Sequence, residues 1–205
     1  MTAVWTMIGF AAVGFFMLFS PWTKEVIAFW PMMSVTAGLL AAGALALDRR
    51  QLKPIYALKM SDIIAGLLSA AFLYAVFWVG HFVSTQILPF AGRQVNSVYT
   101  IRQGVHPVLI GLLLMFLIGP AEEIFWRGFV QRRLCGRYGA LCGFVLSVAI
   151  YAGVHLWSFN FMLIAAAAVC GGFWGLMFLA TKRLWPCIIS HAVWDVMILL
   201  IWPIQ

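Results

Sequence analysis

Two pairs of ionisable side chains, spaced to share one face of a helix, are the residues of this sequence best suited to chemistry. Glu123 and Arg127 are four residues apart, as are His191 and Asp195, so each pair can meet on a helix. Glu122 is turned about 100° from Glu123 on the same helix and can face a different neighbour. Carboxylates and an imidazole brought together in this way can activate a water molecule and stabilise the anion that its attack creates.

The chain as a whole is too apolar for a soluble globule. Of its 205 residues 64% are hydrophobic and 9% are charged, and the mean hydropathy is +1.01. Seven stretches are long enough to span about 30 Å of hydrocarbon: about 4–20, 26–47, 63–88, 108–131, 139–157, 160–181 and 184–203. Only a helix satisfies its own backbone hydrogen bonds in lipid without a closed barrel. The sequence therefore predicts an all-α polytopic transmembrane bundle of about seven spans, with residues 1–205 as a single integral membrane domain.

Ionisable residues inside these spans indicate where function is expected. Three acids and two histidines well inside the predicted spans stand out: Glu122, Glu123, Asp195, His155 and His191. A charge at mid-bilayer costs at least ~2.5–3.5 kcal/mol on insertion scales, so such groups normally face the protein interior or a wet cavity. His81 and His106 lie at a span end and in a loop, where we predict a hydrogen-bonded packing role instead.

Counting along the spans brings most of these groups to one depth. At ~1.5 Å per residue, Glu122, His191 and Asp195 come out near the middle of the bilayer, whereas His155 falls near the external end of its span. Pro120, just before the glutamates, has no backbone N–H, so the carbonyl one turn earlier loses its hydrogen-bond donor. An unpaired carbonyl inside the bilayer is tolerated only where it contacts protein or water. A wet cavity next to the glutamates would satisfy both the carbonyl and the carboxylates.

The net charge of +7 is explained by membrane topology rather than by nucleic acid. With seven spans, alternate connections face the same side of the membrane. Nine basic residues then share one side: Arg49, Arg50, Lys53, Lys59, Arg132, Arg133, Arg137, Lys182 and Arg183. The other side has three: Lys24, Arg93 and Arg102. Because basic connections stay in the cytoplasm, we predict an integral protein of the inner cell membrane with a cytoplasmic N-terminus, an external C-terminus and no nucleic-acid partner.

Three motifs resemble those of a known protease family. EEIFWR at 122–127 matches the EExxxR signature of the CPBP intramembrane proteases, which include the Ras-converting CAAX endopeptidases and the bacteriocin-processing, Abi-type bacterial proteins. YAGVH at 151–155 resembles the family's FxxxH motif, and HAVWD at 191–195 resembles its HxxxN or HxxxD motif. The resemblance covers residues 108–200, which we take as the catalytic core.

Two positions depart from the commonest pattern of these motifs. Tyr151 stands where Phe is usual, an exchange of one aromatic ring for another that changes little in this interpretation. Asp195 stands where Asn is frequent. The second departure matters more, because Asn can donate a hydrogen bond whereas an ionised Asp only accepts.

The resemblance implies peptide-bond hydrolysis inside the membrane by a glutamic-type endopeptidase that needs no cofactor. Glu122 would be the general base that activates water, and His155 would hold or help deprotonate the same water. His191 and Asp195 would polarise the scissile carbonyl and stabilise the oxyanion, which for Asp195 requires protonation or an indirect role in orienting His191. The substrate would be a membrane-associated protein or peptide in the lipid bilayer.

Glu123 and Arg127 would form a supporting ion pair that fixes the helix and limits the cost of the local charge. Burying three acids, two histidines and an arginine for packing alone would be costly, because an uncompensated buried charge is heavily penalised. The set as a whole therefore favours a functional site over a structural one.

Two other classes of function stay open at this point. A zinc-dependent membrane protease could use His155, His191 and a carboxylate as ligands, a legitimate catalytic set, although the sequence has no HExxH motif. A non-enzymatic transporter or immunity protein is the second alternative. Paired broken helices in inverted repeats would favour a transporter, and the sequence has one Gly-Pro break beside charged residues, at 119–120. The glutamic protease is preferred to both, and no residue is assigned to a metal.

Overall fold

Eight helices and no strand make up the part of the chain that the computed structural model describes, residues 1–48 and 57–204. In chain order they are α1 (Thr2–Phe19), α2 (Phe29–Asp48), α3 (Met60–Ile87), α4 (Ala91–Tyr99), α5 (Pro107–Tyr138), α6 (Ala140–Gly153), α7 (Phe161–Thr181) and α8 (Trp185–Ile201). The predicted all-α architecture is confirmed.

Seven of the helices in these described ranges correspond to the seven predicted spans. Six are long and apolar enough to cross a membrane: α1, α2, α3, α5, α7, and α6 together with the turn that follows it to Ser158. α8 is a shorter apolar helix. Helices of this length and composition establish an integral membrane protein, as the sequence predicts.

Two features of the fold differ from the predicted spans. α5 continues to Tyr138, through residues that the sequence predicts as a connection after residue 131. Its last turns are held by Asp48 at the end of α2, whose Oδ1 accepts from Arg133 Nη2 at 2.5 Å and whose Oδ2 accepts from Arg132 Nη2. α4 was not predicted, because its nine residues are amphipathic and too few to span lipid.

α5 is widened on both sides of the two glutamates. π-Helical stretches at Leu114–Ile118 and Ile124–Gln131 flank an ordinary α-helical segment, Gly119–Glu123. Pro120, which has no N–H to donate, lies in that segment. The disturbance predicted at the proline thus takes the form of π-helical turns, a feature that is frequent at functional sites.

α8 packs against α3, α5 and α7, and two glycines allow its close approach. A Cβ atom on Gly119 of α5 would lie 3.1 Å from Ala192 Cα of α8 and 2.9 Å from Leu114 O. A Cβ atom on Gly66 of α3 would lie 2.7 Å from Ile189 Cβ. Because a close-packed interior cannot absorb such overlaps, Gly119 sets the distance between α5 and α8, and Gly66 sets the distance between α3 and α8.

The two ends of the bundle differ in charge. At the basic end α2, α5 and α7 finish and α3 and α8 begin, and Arg183 Nε lies 2.7 Å from Asp62 Oδ1 there. The described basic residues at this end are Lys59, Arg132, Arg133, Arg137, Lys182 and Arg183. Those at the opposite end are Lys24, Arg93 and Arg102. The predicted cytoplasmic residues Arg49, Arg50 and Lys53 lie outside the described residues, as does Gln205 at the C-terminus.

Candidate active site

Glu123 lies at the buried centre of the site, between α5 and α8. Its Oε1 accepts from Arg127 Nη1 at 2.8 Å, one turn along α5, and from His191 Nδ1 of α8, also at 2.8 Å. Glu123 is fully buried and Arg127 is 2% exposed, so solvent does not weaken these contacts. One carboxylate oxygen therefore joins two of the three motifs.

Arg127 has partners on two further helices. Its Nη2 donates to the backbone oxygens of Cys170 and Gly171 on α7, both at 3.4 Å. The guanidinium carbon lies 4.8 Å from the ring centroid of Tyr151 and 5.4 Å from that of Trp174. A guanidinium suits such a place, because it is weakly hydrated and stacks on aromatic faces. Arg127 ties α5 to α6 and α7 while it compensates the carboxylate beside it.

His191 is held in one orientation by groups on both sides of its ring. Trp174 stacks on the ring, with centroids 3.9 Å apart and planes at 18°. Nδ1 faces the Glu123 carboxylate and carries a hydrogen, because a carboxylate oxygen accepts. Nε2 lies 3.4 Å from Asp195 Oδ2 and 3.9 Å from Glu122 Oε2. An imidazole fixed through Nδ1 presents Nε2 to the two remaining acids.

Glu122 faces α6, away from its neighbour Glu123. Tyr151 Oη donates to Glu122 Oε2 at 3.2 Å. The ring of Tyr151 also meets Trp126 edge-on, with centroids 5.2 Å apart. Tyr151 therefore adds a contact that the usual Phe could not make, because Phe would leave the Glu122 carboxylate without this donor.

His155 lies just beyond α6, before a 3-10 turn at Leu156–Ser158. Its Nδ1 is 2.8 Å from the backbone oxygen of Tyr151. A carbonyl only accepts, so Nδ1 carries the hydrogen and Nε2 of the neutral ring is left as an acceptor. The rings of Phe15 and Phe19 on α1 pack against His155, with centroids 5.0 and 5.3 Å away. α1, which carries none of the motifs, thus helps to position this histidine.

One cavity of about 470 Å³ brings the candidate catalytic residues together. Four of them line it: Glu122, His155, His191 and Asp195. Most of the remaining wall is apolar and comes from α1, α2, α3, α4, α5, α7 and α8. A largely apolar cavity with a few polar groups gathered at one place is the usual form of a site that binds a small molecule or a peptide segment.

The two other histidines have different surroundings. His106 caps the start of α5, where its Nδ1 accepts from Val108 N at 3.3 Å, an ordinary structural role. His81 lies in the cavity wall, and its buried Nδ1 has no hydrogen-bond partner among the described residues. Within this part of the chain, the hydrogen bond predicted for His81 is therefore absent at Nδ1. No motif surrounds this residue, so spacing carried no signal of its position.

The donor set of the zinc alternative does not form a metal site. Within residues 1–48 and 57–204, no three His, Cys, Asp or Glu side chains are placed to hold one metal ion. The arrangement suits acid–base chemistry on a water molecule between a carboxylate and imidazoles.

Comparison with known proteins identifies one family. Residues 104–197 match the model of the Rce1-like family, described as type II CAAX prenyl endopeptidase Rce1-like. The matched range contains every residue assigned above to the three motifs and excludes α1, α2, α3 and α4. No curated protein and no solved structure matches the chain.

Proposed function

Residues 104–197 form an Rce1-like type II CAAX prenyl endopeptidase domain of the CPBP family, and from this membership we propose that the chain is an intramembrane endopeptidase. It hydrolyses a peptide bond of a membrane-associated protein or peptide with a water molecule that Glu122 activates. The observation that best supports this proposal is the position of Glu122. Its carboxylate lines the cavity, bonded to Tyr151 and 3.9 Å from His191 Nε2.

Glu122 is the general base of the proposed mechanism. It takes a proton from water as the water oxygen attacks the scissile carbonyl carbon, which gives a tetrahedral intermediate. His155 holds the same water through Nε2, because its Nδ1 is engaged by the backbone oxygen of Tyr151. Glu122 reaches the cavity from α5 and His155 from the turn after α6, so the water is held between two separately fixed side chains.

His191 and Asp195 stabilise the negative charge of the intermediate. Because Nδ1 already donates to Glu123, His191 acts in this step as the imidazolium, and its second hydrogen, on Nε2, is directed toward the carbonyl oxygen. Asp195, whose Oδ2 is 3.4 Å from that nitrogen, helps to keep the ring in place. The proton held by Glu122 then passes to the leaving nitrogen as the C–N bond breaks, which yields two peptides and restores the carboxylate.

Glu123 and Arg127 are positioning residues in this scheme. Both are buried beneath the cavity and neither lines it. Glu123 fixes the orientation of His191, and Arg127 compensates the charge of Glu123. The pair therefore acts on the reaction through His191.

The apolar lining of the cavity suits a substrate that is embedded in the membrane. Its wall is largely apolar, so it offers an extended polar peptide few hydrogen-bond partners away from the four catalytic groups. A segment that is already in the bilayer loses little hydration when it enters such a space. The family's name refers to prenylated CAAX proteins, and for this chain we propose the wider class of membrane-associated proteins and peptides.

Replacement of the base tests the proposal. Membranes of cells that produce the wild-type chain or the Glu122→Gln variant are compared by mapping new protein termini. We expect termini that depend on the wild-type chain to disappear with Glu122→Gln, while membrane insertion and thermal stability stay the same, because Gln is neutral and nearly isosteric. Glu25→Gln, at an exposed position between α1 and α2, is the matched control and should keep full activity. Cleavage by a folded Glu122→Gln variant would refute the assignment.

A further inference from the structure

The cavity occupies one half of the bundle. Several helices finish at the end of the bundle opposite the basic end. These helices line the cavity with their last residues, such as Phe19 of α1, or with the residue that follows, such as Leu88 after α3. Helices that begin there contribute their first turns, such as Trp30 of α2 and Phe161 of α7. The lining of α7 stops at Trp174, beside His191. The cavity therefore extends from the catalytic residues toward the opposite end and away from the basic end.

Toward the basic end the bundle is filled. Arg127, Gln131 and Leu184 are 2%, 1% and 0% exposed. Gln131 Nε2 donates to the backbone oxygen of Gly175 at 2.9 Å, one turn beyond the α7 carbonyls that Arg127 binds. These bonds join α5 to α7 across the interior. A substrate cannot reach Glu122 from the basic end unless this layer comes apart.

The charge distribution assigns the two ends to the two sides of the membrane. The described residues include six basic ones at the basic end and three at the opposite end, and the sequence predicts three more, Arg49, Arg50 and Lys53, in the connection between α2 and α3. Lys and Arg near span ends are retained in the cytoplasm, whereas acidic residues contribute little to orientation. The cavity, with its catalytic residues, thus lies in the non-cytoplasmic half of the bilayer.

A cover closes the far end of the cavity. Asn160 Nδ2 donates to the Gln94 backbone oxygen of α4 at 2.8 Å, and Trp30 Nε1 donates to the backbone oxygen of Ile101 at 2.8 Å. The Tyr99 hydroxyl accepts from a backbone N–H beyond α8 at 2.9 Å. Burial raises the pKa of Tyr99, so the phenol stays neutral in this contact. α4 and the turn after it are thus tied to α2, α7 and the end of the chain.

An opening to the side remains between α3 and α7. Val76 of α3 and Val169 of α7 line the cavity and are also 37% and 44% exposed. Toward the basic end the two helices meet through the stacked rings of Phe72 and Phe173, with centroids 6.0 Å apart. Toward the opposite end α4 contacts both helices. We call the region between these two closures the α3–α7 window. Its apolar rim faces the lipid.

We propose that the substrate reaches Glu122 through the α3–α7 window from the non-cytoplasmic leaflet. It is a segment of an exported, membrane-anchored protein or peptide, and its scissile bond lies in that leaflet. A lipid-modified chain end presented from the cytoplasm would meet the filled, basic side of the molecule. The inference rests on the proposed function for its chemistry, whereas the side of access depends on the cavity and the charges alone.

Cysteine labelling tests the side of access independently of any cleavage. The four native cysteines are replaced by alanine, and a single cysteine is introduced by Asn96→Cys on α4 or by Tyr138→Cys at the end of α5, both exposed positions whose exchange leaves the basic residues unchanged. In intact cells of a bacterial host, a membrane-impermeant maleimide should label residue 96 and should label residue 138 only after permeabilisation. The reverse pattern, or equal labelling of both, would overturn the inference.

Mapping of cleavage positions tests the substrate class. Among termini lost with Glu122→Gln, we expect the cleaved bonds to lie on the non-cytoplasmic side of the substrates' membrane segments. Termini that depend on Glu122 but lie on the cytoplasmic side would overturn this inference and leave the proposed function intact. If no terminus depends on Glu122, the proposed function fails, and the labelling result still decides the side.

A variant that narrows the window tests the route. Val169→Trp places a large ring at the rim and should reduce cleavage by at least about 10-fold, since access to the cavity precedes the chemical step. Val145→Trp on α6 is the control, because Val145 is 53% exposed and does not line the cavity. Equal activity of the two variants would show that the substrate does not pass between α3 and α7.

Discussion

Tyr151 donates its hydroxyl hydrogen to Glu122 Oε2 over 3.2 Å, a bond that joins α6 to the proposed base on α5. The same residue accepts from His155 Nδ1 at its backbone oxygen, and its ring faces the guanidinium of Arg127. One residue therefore contacts three groups of the site. Because the Phe usual in this motif has no hydroxyl, the contact with Glu122 follows from the residue that this chain has at position 151.

Removal of this hydroxyl should slow the chemical step. We expect Tyr151→Phe to lower kcat by about 10-fold with little change in KM, because small displacements of a catalytic group cost rate rather than binding. Cleavage kinetics on a substrate identified by terminus mapping provide the measurement. Tyr138→Phe makes the same change at an exposed site and is the control. An unaltered kcat would mean that the bond to Glu122 does not position the base.

Single and double variants of the Glu123–Arg127 pair should have different effects on stability and on activity. Glu123→Gln leaves the Arg127 charge buried without its partner, which should cost roughly 3–5 kcal/mol of folding free energy and abolish cleavage. A double variant, Glu123→Gln with Arg127→Met, removes both charges and should recover much of the thermal stability. Its activity should stay low, because His191 still lacks a carboxylate at Nδ1. Recovery of activity in the double variant would contradict the positioning role of Glu123.

Asp195 should tolerate an amide and not an apolar side chain. Asp195→Asn keeps the shape and adds a permanent donor, so we expect activity near the wild-type level. Asp195→Leu should reduce kcat by about 100-fold, because His191 then loses a group that keeps its ring in place to donate to the oxyanion. Comparison of pH–rate profiles supplies the finer test: any loss of activity at high pH that comes from Asp195 ionisation should be absent in Asp195→Asn. A fully active Asp195→Leu would remove this residue from the mechanism.

Activity should survive the removal of divalent metal ions. In a zinc enzyme the metal lowers the pKa of bound water to about 7, whereas in the proposed mechanism Glu122 and His155 activate the water directly. Purified active protein is assayed after exhaustive treatment with a membrane-permeant chelator, alongside metal analysis. Stoichiometric zinc, with activity lost on chelation and restored by zinc, would show that the glutamate mechanism is wrong.

The helices could be predicted because the length of an apolar stretch is a local property. Each span had only to be long enough to cross hydrocarbon, and only a helix can do so without unpaired backbone groups. α4 was missed because it is short and amphipathic, so its hydropathy resembles that of a loop. The extension of α5 was missed because the bonds from Arg132 and Arg133 to Asp48 join residues more than eighty positions apart.

The residues that form the site could be predicted from the sequence, but most of the hydrogen bonds between them could not. Helical spacing places Arg127 beside Glu123, and family motifs point to His155, His191 and Asp195. The bond from His191 to Glu123 had no such signal, because it depends on how closely α8 approaches α5 at Gly119. A glycine in a hydrophobic helix indicates that another helix packs closely against it, but the sequence does not say which helix that is.

The border of the family match runs through the cavity itself. The acids and histidines lie inside residues 104–197, while Phe15, Trp30 and Phe77 of the facing wall lie outside them. The reacting groups are thus encoded in one stretch of the gene, and part of the wall that a substrate meets is encoded in the stretch before it. Substitutions in the first hundred codons that keep Phe15 and Phe19, the neighbours of His155, can reshape the wall and admit a new substrate while the catalytic groups stay in place. Exchange of this leading segment between homologues should therefore change substrate preference and leave the catalytic residues the same.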